Sequence, residues 1–141
     1  MADANAKRGS QAARPLSPHL QIYKMPINML MSIVHRITGG ALYVGTILVA
    51  CVLVAAASGA DAYNTVTSWL AWWPGQIVLI GYTWALLHHL AGGVRHFIWD
   101  TGHGYALETV DLLSWGTLAF SATATVLIWG YVLLCTGGAA P

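Results

Sequence analysis

Three stretches of this 141-residue chain, residues 37–60, 62–94 and 112–141, contain no Asp, Glu, Lys or Arg. Each is longer than the ~20 apolar residues with which a helix crosses a bilayer. The competing reading is a soluble protein with three buried helices. It fails because a chain this small would keep no polar faces for water. Hydrophobic residues make up 57% of the sequence and charged residues 8%, against ~25% charged in a soluble domain. The expected fold class is therefore an all-α membrane protein with three transmembrane helices. The same composition excludes a disordered tail, a nucleic-acid binder and a small soluble enzyme. A net charge of +1 points to no electrostatic partner.

Residues 1–28 form a polar arm ahead of the first span. Pro15 and Pro18 block a regular helix there, and the arm lacks the apolar run of a secretory signal. Lys7, Arg8 and Arg14 are too few and too close to the start for a targeting peptide. The arm reads as an amphipathic segment on the membrane surface. The spans are expected at about 29–57, 75–99 and 110–135. Ser58-Gly59-Ala60-Asp61 breaks the first. Trp69, Trp72 and Trp73 suit an interface belt, and Pro74-Gly75 restarts the chain. Thr109 and Asp111 are the expected caps of the third span.

Five of the six basic residues lie before or at the start of the first span: Lys7, Arg8, Arg14, Lys24 and Arg36. Arg95 lies near the end of the second, and no basic residue lies in the first link or after the third span. The positive-inside rule puts the N-terminus in the cytoplasm and the C-terminus across the membrane. Cys51 and Cys135 fall inside apolar helices, where they read as small hydrophobes and not as a disulfide. No CxxC, P-loop or GxGxxG occurs.

Ionisable residues at membrane depth are costly and usually functional. One cluster is Ser32-Ile33-Val34-His35-Arg36. Ser32 and Arg36 share a helix face, which Gly39, Gly40 and Tyr43 continue inward, while His35 is turned about 100° away. Two readings stand side by side. Arg36 snorkels to the headgroups, or a cation and a hydroxyl open onto an apolar slot for a polar-headed, lipid-soluble ligand. A quinone suits the second reading: its carbonyl oxygens need donors, and positive charge favours its reduced oxygen.

The other cluster is His88-His89-Leu90-Ala91-Gly92-Gly93-Val94-Arg95-His96. His89 lies roughly ten residues before the end of its span, ~15 Å deep. Its helix face holds Tyr82, Ala85, Gly92, Gly93 and His96. Small residues there mean close helix packing, or a slot for a flat macrocycle with His89 as axial ligand to haem iron. His96, two turns nearer the cytoplasm, then meets a propionate together with His35 and Arg36. His88 points about 100° away and is the weaker ligand candidate. A b-type haem takes two axial histidines, and no other histidine of this chain lies at that depth. The second ligand has to come from another membrane chain.

With these residues in hand, a family resemblance emerges. The run Arg14-Pro15-Leu16-Ser17-Pro18-His19-Leu20-Gln21-Ile22-Tyr23, followed by Ser32-Ile33-Val34-His35-Arg36-Ile37-Thr38-Gly39, resembles a signature of the cytochrome b membrane anchor of succinate dehydrogenase, respiratory complex II. His89 to His96, ending in Trp99-Asp100, resembles its second signature. The likeness covers the chain from about Arg14 to its end and is similar to the alphaproteobacterial and mitochondrial branch. The short N-terminus favours a bacterial inner membrane over a mitochondrial one.

The resemblance implies that three helices pair with a second three-helix anchor subunit. Together the two hold one haem b and dock a flavoprotein subunit and an iron–sulfur subunit on the cytoplasmic side. Electrons from succinate then reach ubiquinone. By position His89 matches the axial haem ligand, and His35, Arg36 and His96 match its surroundings. Ser32, Ile33 and Arg36 match the quinone site, and the arm matches the contact with the soluble subunits. The rival readings are a fumarate reductase anchor running in reverse, a structural anchor without redox work, and a small transporter subunit. The last lacks a polar path through the outer halves of spans one and three.

Overall fold

The computed structural model describes residue 18 and residues 21–135, and these residues form four helices. We label them α1 (Ile27–Ser58), α2 (Ala60–Ala71), α3 (Trp73–Asp100) and α4 (Leu107–Cys135). Three of the four, α1, α3 and α4, are long and apolar enough to cross a membrane. The N-terminal arm lies almost wholly outside the described residues, as does Gly137-Gly138.

Each helix boundary has a local cause. Gly59 ends α1 with φ 119° and ψ 175°, a region open essentially to glycine alone. The chain then starts α2, a short helix that the tryptophan-rich segment did not announce as regular structure. Its length of 12 residues is too short to span a bilayer. It packs against both α1 and α3, and Trp69 and Trp72 remain exposed around its end. Trp72 is extended, and Pro74 sits in the first turn of α3, where its missing N–H costs nothing.

The third span corrects one expectation. α4 begins at Leu107, not at a cap formed by Thr109 or Asp111. The Val110 N–H already bonds to the Ala106 carbonyl at 2.9 Å, so both residues lie inside the helix. The turn before it is fastened by aromatic side chains. Trp99 Nε1 donates to the Gly104 carbonyl at 3.3 Å, and the Tyr105 hydroxyl donates to the Trp99 carbonyl at 2.9 Å.

The interior is polar and the exterior apolar, the inverse of a water-soluble core. The buried polar residues are Thr38, His88, Arg95, Ser114, Thr117, Ser121 and Thr125. Only Met31, Ala55 and Ala85 are buried apolar residues among those described. Four of the buried hydroxyl residues form one face of α4. Each returns its hydrogen to a carbonyl of its own helix, as Ser114 does to Val110 at 2.8 Å and Thr125 to Ser121 at 2.7 Å. Small side chains with satisfied hydroxyls let α3 and α4 approach closely in an apolar solvent.

Candidate functional site

The face of α3 that carries Tyr82, Ala85, His89 and Gly92 packs on α1, and glycines on both helices make the approach possible. A Cβ on Gly45 would overlap the Tyr82 ring, and one on Gly92 would overlap the His35 ring. A Cβ on Gly39 would stand 2.9 Å from His89 Cε1. Each helix thus receives a histidine of the other in the space of a missing side chain.

The result is a cluster of three histidines from two helices. The His35 and His89 rings stack with centroids 4.0 Å apart and planes 12° apart. His96 meets His35 edge-on at 5.2 Å and Trp99 at 5.2 Å. His35, on the neighbouring helix face from Ser32 and Arg36, thereby joins the cluster of α3.

Hydrogen bonds decide which nitrogen of His89 is available. Its Nδ1 lies 3.1 Å from the His35 carbonyl. A carbonyl only accepts, so Nδ1 carries the hydrogen and Nε2 keeps its lone pair. That Nε2 makes no hydrogen bond among the described residues. The Thr38 hydroxyl donates to the same carbonyl at 2.9 Å and lies 3.5 Å from His89 Nδ1. His35 Nε2 is buried without a hydrogen-bond partner.

This donor set can give a metal one imidazole ligand. It cannot build a metal site alone: no group of three or more His, Cys, Asp or Glu is placed to hold an ion among the described residues. A group bound through His89 Nε2 must bring or find its other ligands elsewhere.

The expected slot for a flat ring is only partly open. Gly92 is filled by His35, and Ala85 is buried in the packing, whereas a Cβ on Gly93 would meet nothing within 4 Å. The open position, Gly93, lies one turn along α3 from His89.

Ser32, Ile33 and Arg36 occupy a separate face. Arg36 Nη2 reaches Ser32 Oγ at 3.5 Å, and both Ile33 and Arg36 are exposed. Gly40 is open, and Tyr43 is 80% exposed, pointing outward. Two apolar clefts among the described residues lie elsewhere: one between α3 and α4 beside Leu90, Val94 and Phe120, another between α1 and α3 beside Val44 and Tyr82. Neither cleft includes Ser32 or Arg36.

Two residues land where the sequence did not put them. His88 is 1% exposed, stacked on Trp84 at 5.1 Å, with Nδ1 3.3 Å from Ser121 Oγ. It belongs to the α3–α4 interface and has no free face for a ligand. Arg95, which the sequence placed only near the end of its span, turns into the same interface. It is 3% exposed, donates to Ser114 Oγ at 3.0 Å and lies over the Trp99 ring at 5.0 Å. The spacing of His88 and Arg95, two turns apart, was the available signal that both serve one interface.

The chain is similar to known proteins along most of its length. A family model described as succinate dehydrogenase/fumarate reductase transmembrane subunit matches residues 10–128. The succinate dehydrogenase cytochrome b556 subunit of Paracoccus denitrificans is 42% identical over 127 residues, covering 90% of this chain and 94% of the relative. The cytochrome b556 subunit of Rickettsia felis is 33% identical over 116 residues, covering 82% and 90%. The cytochrome b560 subunit of Reclinomonas americana is 32% identical over 125 residues, covering 82% and 84%.

Proposed function

The chain belongs to the succinate dehydrogenase/fumarate reductase transmembrane subunit family, and on that premise we propose that it is the membrane-anchoring cytochrome b subunit of a succinate:ubiquinone oxidoreductase. It catalyses nothing alone and takes part in electron transfer within the complex. The relatives bear the name of succinate dehydrogenase, which favours this direction over fumarate reduction.

One observation carries the cofactor reading. His89 holds Nδ1–H on the His35 carbonyl at 3.1 Å and so presents Nε2 as a ligand with a fixed ring. A hydrogen bond of this kind, from the nitrogen that is not the ligand, raises ligand basicity and orients the imidazole. His89, together with a histidine of a second three-helix anchor, would hold haem b, which would supply one-electron transfer. Two further features of the chain suit such a group. The buried His35 Nε2 is unpartnered and lies beside His96, a donor pair suited to a propionate carboxylate, with Arg36 one residue along. Gly93, one turn along α3 from His89, has open space where a side chain would stand, which suits a flat ring packed against this face.

Ser32 and Arg36 orient a ubiquinone carbonyl at the exposed end of α1, with Ile33 as its apolar contact. The guanidinium favours negative charge on the quinone oxygen as it is reduced, and protons reach it from the cytoplasmic side. The second anchor and the iron–sulfur subunit complete the pocket, and the flavoprotein subunit binds beyond them. Residues 1–28 meet these soluble subunits. The N-terminus is cytoplasmic and the C-terminus periplasmic in a bacterial inner membrane, in line with Lys24 and Arg36 at one end of α1.

A reduced-minus-oxidised absorption spectrum of the complex purified through this chain tests the reading. Flavin and iron–sulfur bleaching with a b-type haem band is the expected result. Flavin and iron–sulfur signals without haem would reduce the chain to a structural anchor, and the absence of every chromophore would overturn the assignment.

A further inference from the structure

The glycines within each of the pairs Gly39-Gly40 and Gly92-Gly93 look equivalent in sequence and are not equivalent in space. A Cβ on Gly40 or on Gly93 would meet nothing within 4 Å. A Cβ on Gly39 would come 2.9 Å from Cε1 and 3.4 Å from Nδ1 of His89. Contacts under 3.0 Å force a neighbour to move. The neighbour here is a ring held on its other sides, so it has little room to yield.

Those other sides are defined. The His35 ring stacks on one face at 4.0 Å. The His35 carbonyl accepts Nδ1–H at 3.1 Å. The Thr38 hydroxyl, on a residue 2% exposed, binds the same carbonyl at 2.9 Å and lies 3.5 Å from Nδ1. This oxygen pair sits within an apolar span, where few other acceptors compete for the imidazole hydrogen. Carbonyl, hydroxyl and missing Cβ come from one turn of α1, residues 35–39.

We infer that Thr38 and Gly39 are positioning residues for His89: they form a socket that fixes the tautomer and plane of its ring, so that Nε2 is the nitrogen that keeps its lone pair. The inference rests on the reading of His89 as the haem ligand. Neither residue is itself a ligand; both act through the imidazole. Gly39 sets how deep the ring sits, and Thr38 with the His35 carbonyl sets which nitrogen is protonated. The plane and basicity of an axial histidine tune the spectrum and potential of the iron it binds.

The test uses the whole purified complex with Gly39→Ala, Gly40→Ala, Thr38→Val and Thr38→Ser in this chain. Low-spin ferric electron paramagnetic resonance and the haem midpoint potential are the readouts. Dye-linked succinate oxidation reports that the complex has assembled. The expected result is a shifted g-tensor and potential, or loss of haem from an assembled complex, in Gly39→Ala. Gly40→Ala should match wild type. Thr38→Val should shift the potential, and Thr38→Ser, which keeps the hydroxyl, should restore it. If Gly39→Ala does not assemble, the Thr38 pair carries the test unaided.

Two kinds of failure are separable. A wild-type complex without haem, or an unchanged spectrum in His89→Ala, would remove the ligand assignment and the socket with it. A haem-bearing wild type whose Gly39→Ala and Thr38→Val variants keep its g-values and potential would remove the socket alone.

Discussion

Replacing Ser114 with alanine isolates the question of how a membrane helix pair carries a buried cation. Arg95 is 3% exposed and donates to Ser114 Oγ at 3.0 Å. Its other compensation is the face of Trp99 at 5.0 Å, and its Nε has no partner. A hydrogen bond from a charged donor is worth ~1.5–3 kcal/mol. Neutral bonds between membrane helices average only ~0.6 kcal/mol, because the unfolded state in lipid also finds partners. The Arg95–Ser114 coupling should therefore be ~1–2 kcal/mol, a factor of ~5–30 in the unfolding equilibrium. Arg95→Met should cost less than Ser114→Ala. It removes the cation together with its need for a partner, and burying a charge itself costs several kcal/mol. The assay is a double-mutant cycle over Ser114→Ala and Arg95→Met, read by tryptophan fluorescence during reversible detergent unfolding in bicelles. A coupling within the ~0.5 kcal/mol error of additivity would refute the claim that Ser114 is the partner of this charge.

Other outcomes follow from the same geometry. Arg36→Ala should lower ubiquinone reduction on the order of 10²-fold, as expected for one lost electrostatic donor. Succinate-dependent dye reduction, which bypasses the quinone site, should persist; equal loss of both would make Arg36 an assembly residue. His88→Ala should destabilise the α3–α4 pair by ~2 kcal/mol through lost packing and the bond to Ser121, yet leave the haem spectrum unaltered. A changed haem band would return His88 to the ligand set. Gly59→Ala should cost ~1–3 kcal/mol from its backbone conformation alone, visible as a lower midpoint in thermal unfolding, whereas Gly40→Ala should cost far less.

Much of the site was legible in the linear order of residues, because helical periodicity places positions three, four and seven apart on one face. His89, Gly92 and His96 fall together on that rule, as do Ser32 and Arg36. The rule describes one helix at a time. It could not show that His35, turned away from Arg36, is stacked on His89, because that meeting depends on how α1 and α3 rotate against each other. Nor could it rank Gly39 against Gly40, or reveal that Arg95 turns inward to Ser114. The cap expected at Thr109 failed for a related reason. Side-chain caps are a local preference, and here the turn fastened by Trp99 and Tyr105 lets α4 begin earlier.

The sequence by itself determined that the chain is built for a bilayer and how many spans it has. Those follow from charge-free length and from the cost of polar groups in hydrocarbon, which no packing detail can alter. The tertiary structure decided which helix faces meet, which nitrogen of His89 is free, and which buried cation is held by which hydroxyl. These depend on contacts of a few ångströms between residues tens of positions apart, and only the packed helices bring such residues together.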